Sequence, residues 1–139
     1  MAKRGLAVME RVPFFQGLTK PQLENICDLS KEVRFMPDAV VVKEGDPGET
    51  FYVVLEGEAK VTVKGKKVAT LYPGDFFGEI SLLDPGPRTA SVETTTPMLL
   101  LELQRKRFFK MLDREPAVAL RMGEQLAHRL RELERTING

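Results

Sequence analysis

The middle of the chain, from Glu32 to Leu103, reads as many short strands joined by tight turns, and this pattern constrains the fold most. It is rich in Val, Thr, Phe and Tyr, and Val61 and Val63 alternate with polar neighbours, as in a strand with one buried face. Glycine-bearing turn signals separate the apolar runs, among them EGDPGE at 44–49, KGKK at 64–67 and YPGD at 72–75. Short strands at this spacing predict an antiparallel sandwich or barrel.

Helical patterns flank this region on both sides. Thr19 followed by Pro21 is typical of a helix start, and Leu23 and Ile26 then recur at helical spacing. After Leu103 two more helices are predicted, with Glu115-Pro116 as the break between them. The last one carries an apolar stripe at steps of three and four, formed by Ala119, Met122, Leu126, Leu130, Leu133 and Ile137.

The order of these elements predicts one α+β domain over residues 1–139. Residues 1–31 form its N-terminal helical segment, 32–103 an antiparallel β-roll, or jelly roll, of about eight strands, and 104–139 the two C-terminal helices. The formal net charge is +1, so no global field attracts nucleic acid or an anionic membrane, and any anion site must be local.

Other features narrow the class of protein. No segment approaches the roughly 20 apolar residues that span a bilayer, so we expect no membrane span. The single cysteine, Cys27, has apolar neighbours and is expected to be buried, which fits a reducing cytoplasm. His128 is the only histidine, so no His-rich metal cluster or Ser-His-Asp set can be assembled. We therefore expect neither enzyme activity nor a metal.

The stretch FFGEISLLDPGPRTASV, residues 76–92, combines features suited to a phosphate. Gly78 permits close backbone approach, and a short helix from Glu79 to Leu83 would offer free N–H groups at its start. Arg88 adds a planar fork of donors, next to the small Ala90. Glu79 is out of place beside an anion unless the ligand also donates, as a sugar hydroxyl does. A phosphate, a sugar hydroxyl and an apolar neighbourhood together describe a nucleotide.

The same stretch resembles the phosphate-binding cassette of cyclic nucleotide-binding domains, here residues 76–91. PFFQGLTKPQLENICDLSKEVRF resembles that family's N-terminal helices, and VVVKEGDPGETFYVVLEGEAKV resembles its early strands. The resemblance covers most of the chain. It implies a regulatory or sensor domain that binds cAMP or cGMP without a metal, and that couples binding to movement of its C-terminal helices.

The resemblance also implies roles for individual residues. Glu79 would accept a hydrogen bond from the ribose 2′-hydroxyl, and Arg88 would pair with the cyclic phosphate. Backbone N–H groups around Gly78, Ile80 and Ala90 would complete the phosphate site. Val61 and Val68 would pack the base or sugar, and the last helix, near Leu126–Leu133, would cover the base. The candidate ligand-binding residues are Phe77, Gly78, Glu79, Ile80, Ser81, Arg88, Thr89, Ala90, Val61, Val68 and Leu130.

Several alternatives stay open from the sequence. Threonine at the position of Thr89 favours cGMP in some relatives but is common in cAMP binders, and we expect cAMP. A domain that keeps the fold but has lost the ligand would act as a protein-interaction module; such members usually lack the glutamate or the arginine, and both are present here. The apolar stripe of the last helix could close over the ligand or pair with a second copy. No helix-turn-helix pattern follows it, so DNA binding is not expected, and the output partner is not identified.

Overall fold

The computed structural model describes residues 4–138, without the side chain of Phe14, and contains two four-stranded antiparallel sheets over this range. The strands are β1 (Lys31–Phe35), β2 (Val40–Val42), β3 (Thr50–Glu56), β4 (Ala59–Val63), β5 (Lys66–Leu71), β6 (Phe76–Phe77), β7 (Ser91–Thr94) and β8 (Met98–Gln104). The helices are α1 (Leu6–Met9), α2 (Lys20–Leu29), α3 (Arg105–Arg114) and α4 (Pro116–Asn138), with two 3₁₀ helices at Pro13–Phe15 and Glu79–Leu82. The predicted α+β fold, with its β-roll and two C-terminal helices, is confirmed.

The sheet with strand order β1-β8-β3-β6, here called the inner sheet, is the middle layer of the molecule. Along β3, Phe51 and Val53 belong to a core shared with the helices, whereas Tyr52 and Val54 belong to a second core shared with the other sheet. Successive strand residues point to opposite faces, so a strand between two layers is apolar throughout. This explains the continuous apolar runs of β3 and β8.

The second sheet, here called the outer sheet, has the order β2-β7-β4-β5. Its β4–β5 hairpin turns at Lys64 and Gly65, with φ of 51° and 79°. Two successive left-handed residues are the signature of a type I′ turn, whose twist matches that of the flanking strands. The KGKK segment is therefore a hairpin tip, as the sequence predicts.

In the N-terminal helical segment, α2 begins with a well-formed N-cap. The Thr19 hydroxyl accepts from the Gln22 N–H at 3.3 Å, and the Gln22 side chain accepts from the Thr19 N–H at 2.9 Å. This reciprocal capping box satisfies two donors that a helix start leaves free. The helix then places Leu23, Ile26 and Cys27 in the core, so the buried thiol is also as expected.

The two C-terminal helices differ in how they are packed. From α3, Phe108 and Met111 enter the helical core. From α4, Val118 and Met122 are buried, and α4 contacts the first 3₁₀ helix. Beyond Leu126 the helix is exposed on all sides, and this part includes the apolar side chains of Leu130, Leu133 and Ile137. Within residues 4–138, no helix is both long enough and apolar enough to cross a membrane.

Candidate ligand-binding site

The segment from Phe76 to Ser91, here called the cassette, links the inner sheet to the outer sheet. It leaves β6 through Gly78, whose φ of 79° is in the left-handed region that glycine favours, and enters the 3₁₀ helix Glu79–Leu82. Leu82 is fully buried in the helical core and anchors this short helix. The Asp84 carboxylate then accepts from the Gly86 N–H at 3.2 Å, which closes the turn that leads to Arg88.

The cassette forms one side of a cleft of about 400 Å³. Nine of the eleven candidate residues line this cleft, including both Glu79 and Arg88. The side chains of Val42 and Val92 line it as well, although the sequence did not single them out. A carboxylate, a guanidinium and an apolar wall therefore open onto one space, which is the combination that a sugar phosphate with an attached base requires.

Val68 does not line the cleft, and its side chain is 60% exposed. Along the β4–β5 ladder, Val61 pairs with Ala69 and Thr62 with Lys67, so Val68 is the unpaired residue of a β-bulge. A bulge shifts the alternation of side chains by one residue, and the sequence does not reveal it. The bulge therefore turns Val68 to solvent while Val61 faces the cleft.

Leu130 also lies outside the lining, because it projects from the exposed half of α4 and is 60% exposed. The buried contacts of α4 come from its first half, through Val118 and Met122. In this structure the last helix therefore does not cover the cleft. The predicted ligand contact of Leu130 stays a prediction, and it requires α4 to move.

The Arg88 side chain is held by a hydrogen bond to the backbone of β3. One guanidinium nitrogen, Nη2, donates to the carbonyl oxygen of Thr50 on β3 at 2.9 Å. Burial lowers the pKa of Arg88 below its usual value, and the nearby Tyr52 opposes this effect. An arginine remains charged even so, and a cation that has lost part of its water gains more from an anionic partner than an exposed one does.

A loop between β2 and β3, residues 43–49, pairs with the cassette through its backbone. The N–H of Gly45 donates to the carbonyl of Arg88 and the N–H of Arg88 donates to the carbonyl of Asp46, both at 2.8 Å. The N–H of Gly48 donates to the carbonyl of Gly86 at 3.0 Å. The sequence identified this EGDPGE segment only as a turn. In the structure it supports the backbone of Arg88.

Aromatic packing supports the cleft from the inner sheet. The Tyr52 ring stacks on Phe77, with ring centroids 4.9 Å apart and planes 21° from parallel, and Phe77 lines the cleft. Burial, reinforced by the carboxylate of the cross-strand neighbour Glu102, raises the pKa of Tyr52 to about 12. Tyr52 therefore stays neutral over the physiological range and serves as packing rather than as an acid or base.

The described residues include no candidate metal site, and one larger groove lies away from the cleft. Across residues 4–138 no group of three or more His, Cys, Asp or Glu side chains is placed to hold a metal ion. A larger groove, of about 560 Å³, lies between α2 and α3 and is lined by Leu29, Met111 and several charged side chains. The cassette residues do not line it. The cleft at Glu79 and Arg88 is therefore the site that the cassette builds.

The fold is thus a β-roll domain whose cleft is lined by a carboxylate, a guanidinium and apolar side chains. A family model of the cyclic nucleotide-binding domain matches residues 32–115. This is more than half of the chain, and it includes the whole cassette. The chain belongs to the cyclic nucleotide-binding domain family.

Known proteins support this assignment. The cAMP-dependent protein kinase regulatory subunit of Colletotrichum orbiculare is 38% identical over 106 residues, which are 75% of this chain and 27% of that protein. The crystal structure of the N-terminal domain of a transcriptional regulator from Streptomyces coelicolor superimposes with a TM-score of 0.83 at 34% identity, covering 91% of this chain and 94% of the other. Catabolite activator protein of Thermus thermophilus gives a TM-score of 0.67 at 31% identity, covering 91% and 62%. The chain spans about a quarter of the length of the curated kinase regulatory subunits that it matches.

Proposed function

We propose that this domain is a regulatory sensor that binds a cyclic nucleotide, and cAMP in preference to cGMP, in the cleft of the cassette. The observation that carries the proposal is that Glu79 and Arg88 open onto the same cleft of about 400 Å³. Neither residue alone would indicate a cyclic nucleotide as the ligand. Together they offer an acceptor for a ribose hydroxyl and a cation for a phosphate, on a fold whose family binds such ligands.

The proposed roles follow the chemistry of each group. The Arg88 fork donates to the exocyclic oxygens of the cyclic phosphate, while the backbone near Gly78, Ile80 and Ala90 supplies further N–H donors. The Glu79 carboxylate accepts from the ribose 2′-hydroxyl. Apolar side chains on the outer sheet, among them Val61, then pack against the sugar or the base.

The preference for cAMP rests on the relatives. The kinase regulatory subunits at 35–39% identity are described as cAMP-dependent. Thr89, which lines the cleft, offers a hydroxyl that a guanine could also use, so cGMP is the competing ligand. Comparison of the two nucleotides in one titration distinguishes these cases.

Signal output is proposed to pass through the C-terminal helices. The 3₁₀ helix of the cassette contacts α3, and its Leu82 shares one hydrophobic core with Phe108 of α3 and Met122 of α4. Because packed cores respond to displacement by shifting whole elements, a ligand that moves the 3₁₀ helix displaces α3 and α4. Hydrogen exchange of α4 with and without cAMP tests this step, and an unchanged exchange pattern would refute it.

The exposed half of α4 has two proposed partners. Leu126, Leu130, Leu133 and Ile137 recur at steps of four, three and four, as the seam of a coiled coil does. This seam either folds over the ligand, with Leu130 near the base, or pairs with the same helix of a second copy. Both interactions can occur together if the part of α4 near Leu126 folds over the ligand and the part near Ile137 pairs with the second copy.

Calorimetric titration with cAMP and with cGMP tests the ligand. We expect heat with wild-type protein, a smaller Kd for cAMP, and a large loss of affinity in Arg88→Ala. Arg34→Ala is the matched control, because Arg34 is an exposed arginine on β1. Heat with neither nucleotide would refute the proposal and favour a protein-interaction module, and equal affinity of wild type and Arg88→Ala would refute the role of Arg88.

A further inference from the structure

Gly48, in the loop before β3, is a glycine that its backbone does not require. The glycines with left-handed φ, such as Gly45, Gly65 and Gly78, occupy a conformation that other residues rarely adopt. Gly48 is not among them, so alanine could adopt its φ without strain. It is nevertheless buried. The need for glycine here must therefore come from its surroundings.

The surroundings of Gly48 are the side chains of the binding site. A Cβ at position 48 would lie 2.5 Å from Ser81 Oγ, 2.8 Å from Arg88 Nε and 3.0 Å from Arg88 Cδ. On the other flank, a Cβ at Gly78 would lie 2.6 Å from Arg88 Nη1. The guanidinium therefore occupies a slot between two glycine backbones, with its Nη2 bonded to Thr50 at the far end.

The Arg88 side chain cannot easily move away from a new methyl group at position 48. Gly78 blocks movement on one side, and a sideways shift would break the 2.9 Å hydrogen bond to the Thr50 carbonyl. The backbone of Arg88 is fixed as well, by its two hydrogen bonds to Gly45 and Asp46. A methyl at position 48 would thus push the guanidinium out of its slot and change the direction of its donors.

We propose that Gly48 is a positioning residue for Arg88: by having no side chain, it leaves the space in which the guanidinium is oriented toward the cleft. The inference rests on the proposed function, in which Arg88 binds the cyclic phosphate. It extends that function to a residue that lies outside the cassette and lines no part of the cleft. Gly48 sets the affinity for the phosphate through Arg88 and not through contact with the nucleotide.

The experiment is a double-mutant cycle on cAMP affinity with Gly48→Ala and Arg88→Ala. Acting through Arg88, Gly48→Ala raises the Kd by about tenfold or more in the wild-type background and by less than about twofold in the Arg88→Ala background. An unchanged Kd in Gly48→Ala, or an equal effect in both backgrounds, would overturn the proposal. A purely structural role of Gly48 would give that equal effect.

The orientation of Arg88 can also be followed without ligand. The Nε–H resonance of Arg88 in the NMR spectrum of the free protein should shift in Gly48→Ala, because the new methyl would lie against Nε. This readout decides the question if Arg88→Ala binds too weakly to titrate, and an unshifted resonance would contradict the proposal. The NMR measurement also separates the proposed function from the role of Gly48. Wild-type protein that binds neither nucleotide refutes the proposed function, while the Nε–H resonance still shows whether Gly48→Ala displaces the guanidinium.

Three further variants separate the contact with Arg88 from other effects of Gly48→Ala. Ser81→Ala removes the hydroxyl nearest to the new methyl, so Gly48→Ala/Ser81→Ala is the form to use if the single variant does not fold. Compared with Ser81→Ala alone, it should still bind cAMP about tenfold more weakly, and equal affinity would assign the effect to Ser81 instead. Gly65→Ala is the control for lost stability, because it strains the backbone at a hairpin tip with no atom within 4 Å of its Cβ. Its Kd should match the wild type.

Discussion

Replacing Arg88 by lysine keeps the positive charge and removes the geometry, so it tests whether the site depends on the guanidinium fork. In the structure one guanidinium nitrogen, Nη2, donates to the Thr50 carbonyl at 2.9 Å, which leaves the other N–H donors of the guanidinium for a ligand. A lysine has one compact ammonium group on a flexible stem. It cannot bond the Thr50 carbonyl and also donate to two phosphate oxygens with a fixed direction.

The expected loss follows from one charge-assisted hydrogen bond to the phosphate. Such a bond contributes about 1.5–3 kcal/mol, which corresponds to a Kd raised by about tenfold to somewhat over a hundredfold. The lost bond to Thr50 should also lower the free energy of unfolding by about 1 kcal/mol in urea denaturation. Titration calorimetry with cAMP measures the first effect, and Arg34→Lys on the exposed face of β1 is the control. A Kd for Arg88→Lys within about threefold of wild type would show that charge alone suffices and would refute the reasoning.

Three further predictions concern stability, pH and assembly. The Thr94 hydroxyl is buried and accepts from the Ala39 N–H at 2.9 Å. Thr94→Val should therefore lower the free energy of unfolding, measured in urea, by about 2–4 kcal/mol, and a loss under about 1 kcal/mol would contradict this. The Tyr52 phenol ionises near pH 10.0 when unfolded and near 12 when folded, so wild-type stability should fall between these pH values relative to Tyr52→Phe, and parallel pH profiles would disprove the burial effect. Leu133→Asp should abolish a dimer formed through α4 in sedimentation experiments, whereas Arg131→Asp on another face should not, and a wild-type chain that stays monomeric at every concentration would exclude that dimer.

Local patterns were enough to predict much of the fold. Thr19 with Pro21 predicts the start of α2, and Lys64-Gly65 the hairpin tip, because caps and tight turns depend on residues that are neighbours in sequence. Glu115-Pro116 likewise marks the break between α3 and α4 for a local reason. The cassette was recognisable since its functional groups lie within a single continuous stretch.

The features that the sequence did not reveal are those set by distant contacts. The bulge that turns Val68 outward depends on the register between β4 and β5, and a one-residue shift leaves no mark in the residue pattern. The space that Gly48 leaves for Arg88 depends on the missing side chain, and on the backbone hydrogen bonds that join Gly48 to Gly86 and Arg88 to Gly45 and Asp46 across the two loops. The position of Leu130 depends on where α4 leaves the core, and the regular apolar stripe does not encode that point.

The backbone pairing between the 43–49 loop and the cassette has a consequence for protein engineering. A designer who transplants residues 76–91 alone into another β-roll would move Arg88 without the carbonyls of Asp46 and Thr50 that hold it. The smallest portable unit of this site is therefore two segments, about 43–50 and 76–91, kept in their mutual register. A graft that includes only the second segment would contain the recognisable motif but lack the backbone carbonyls that hold Arg88.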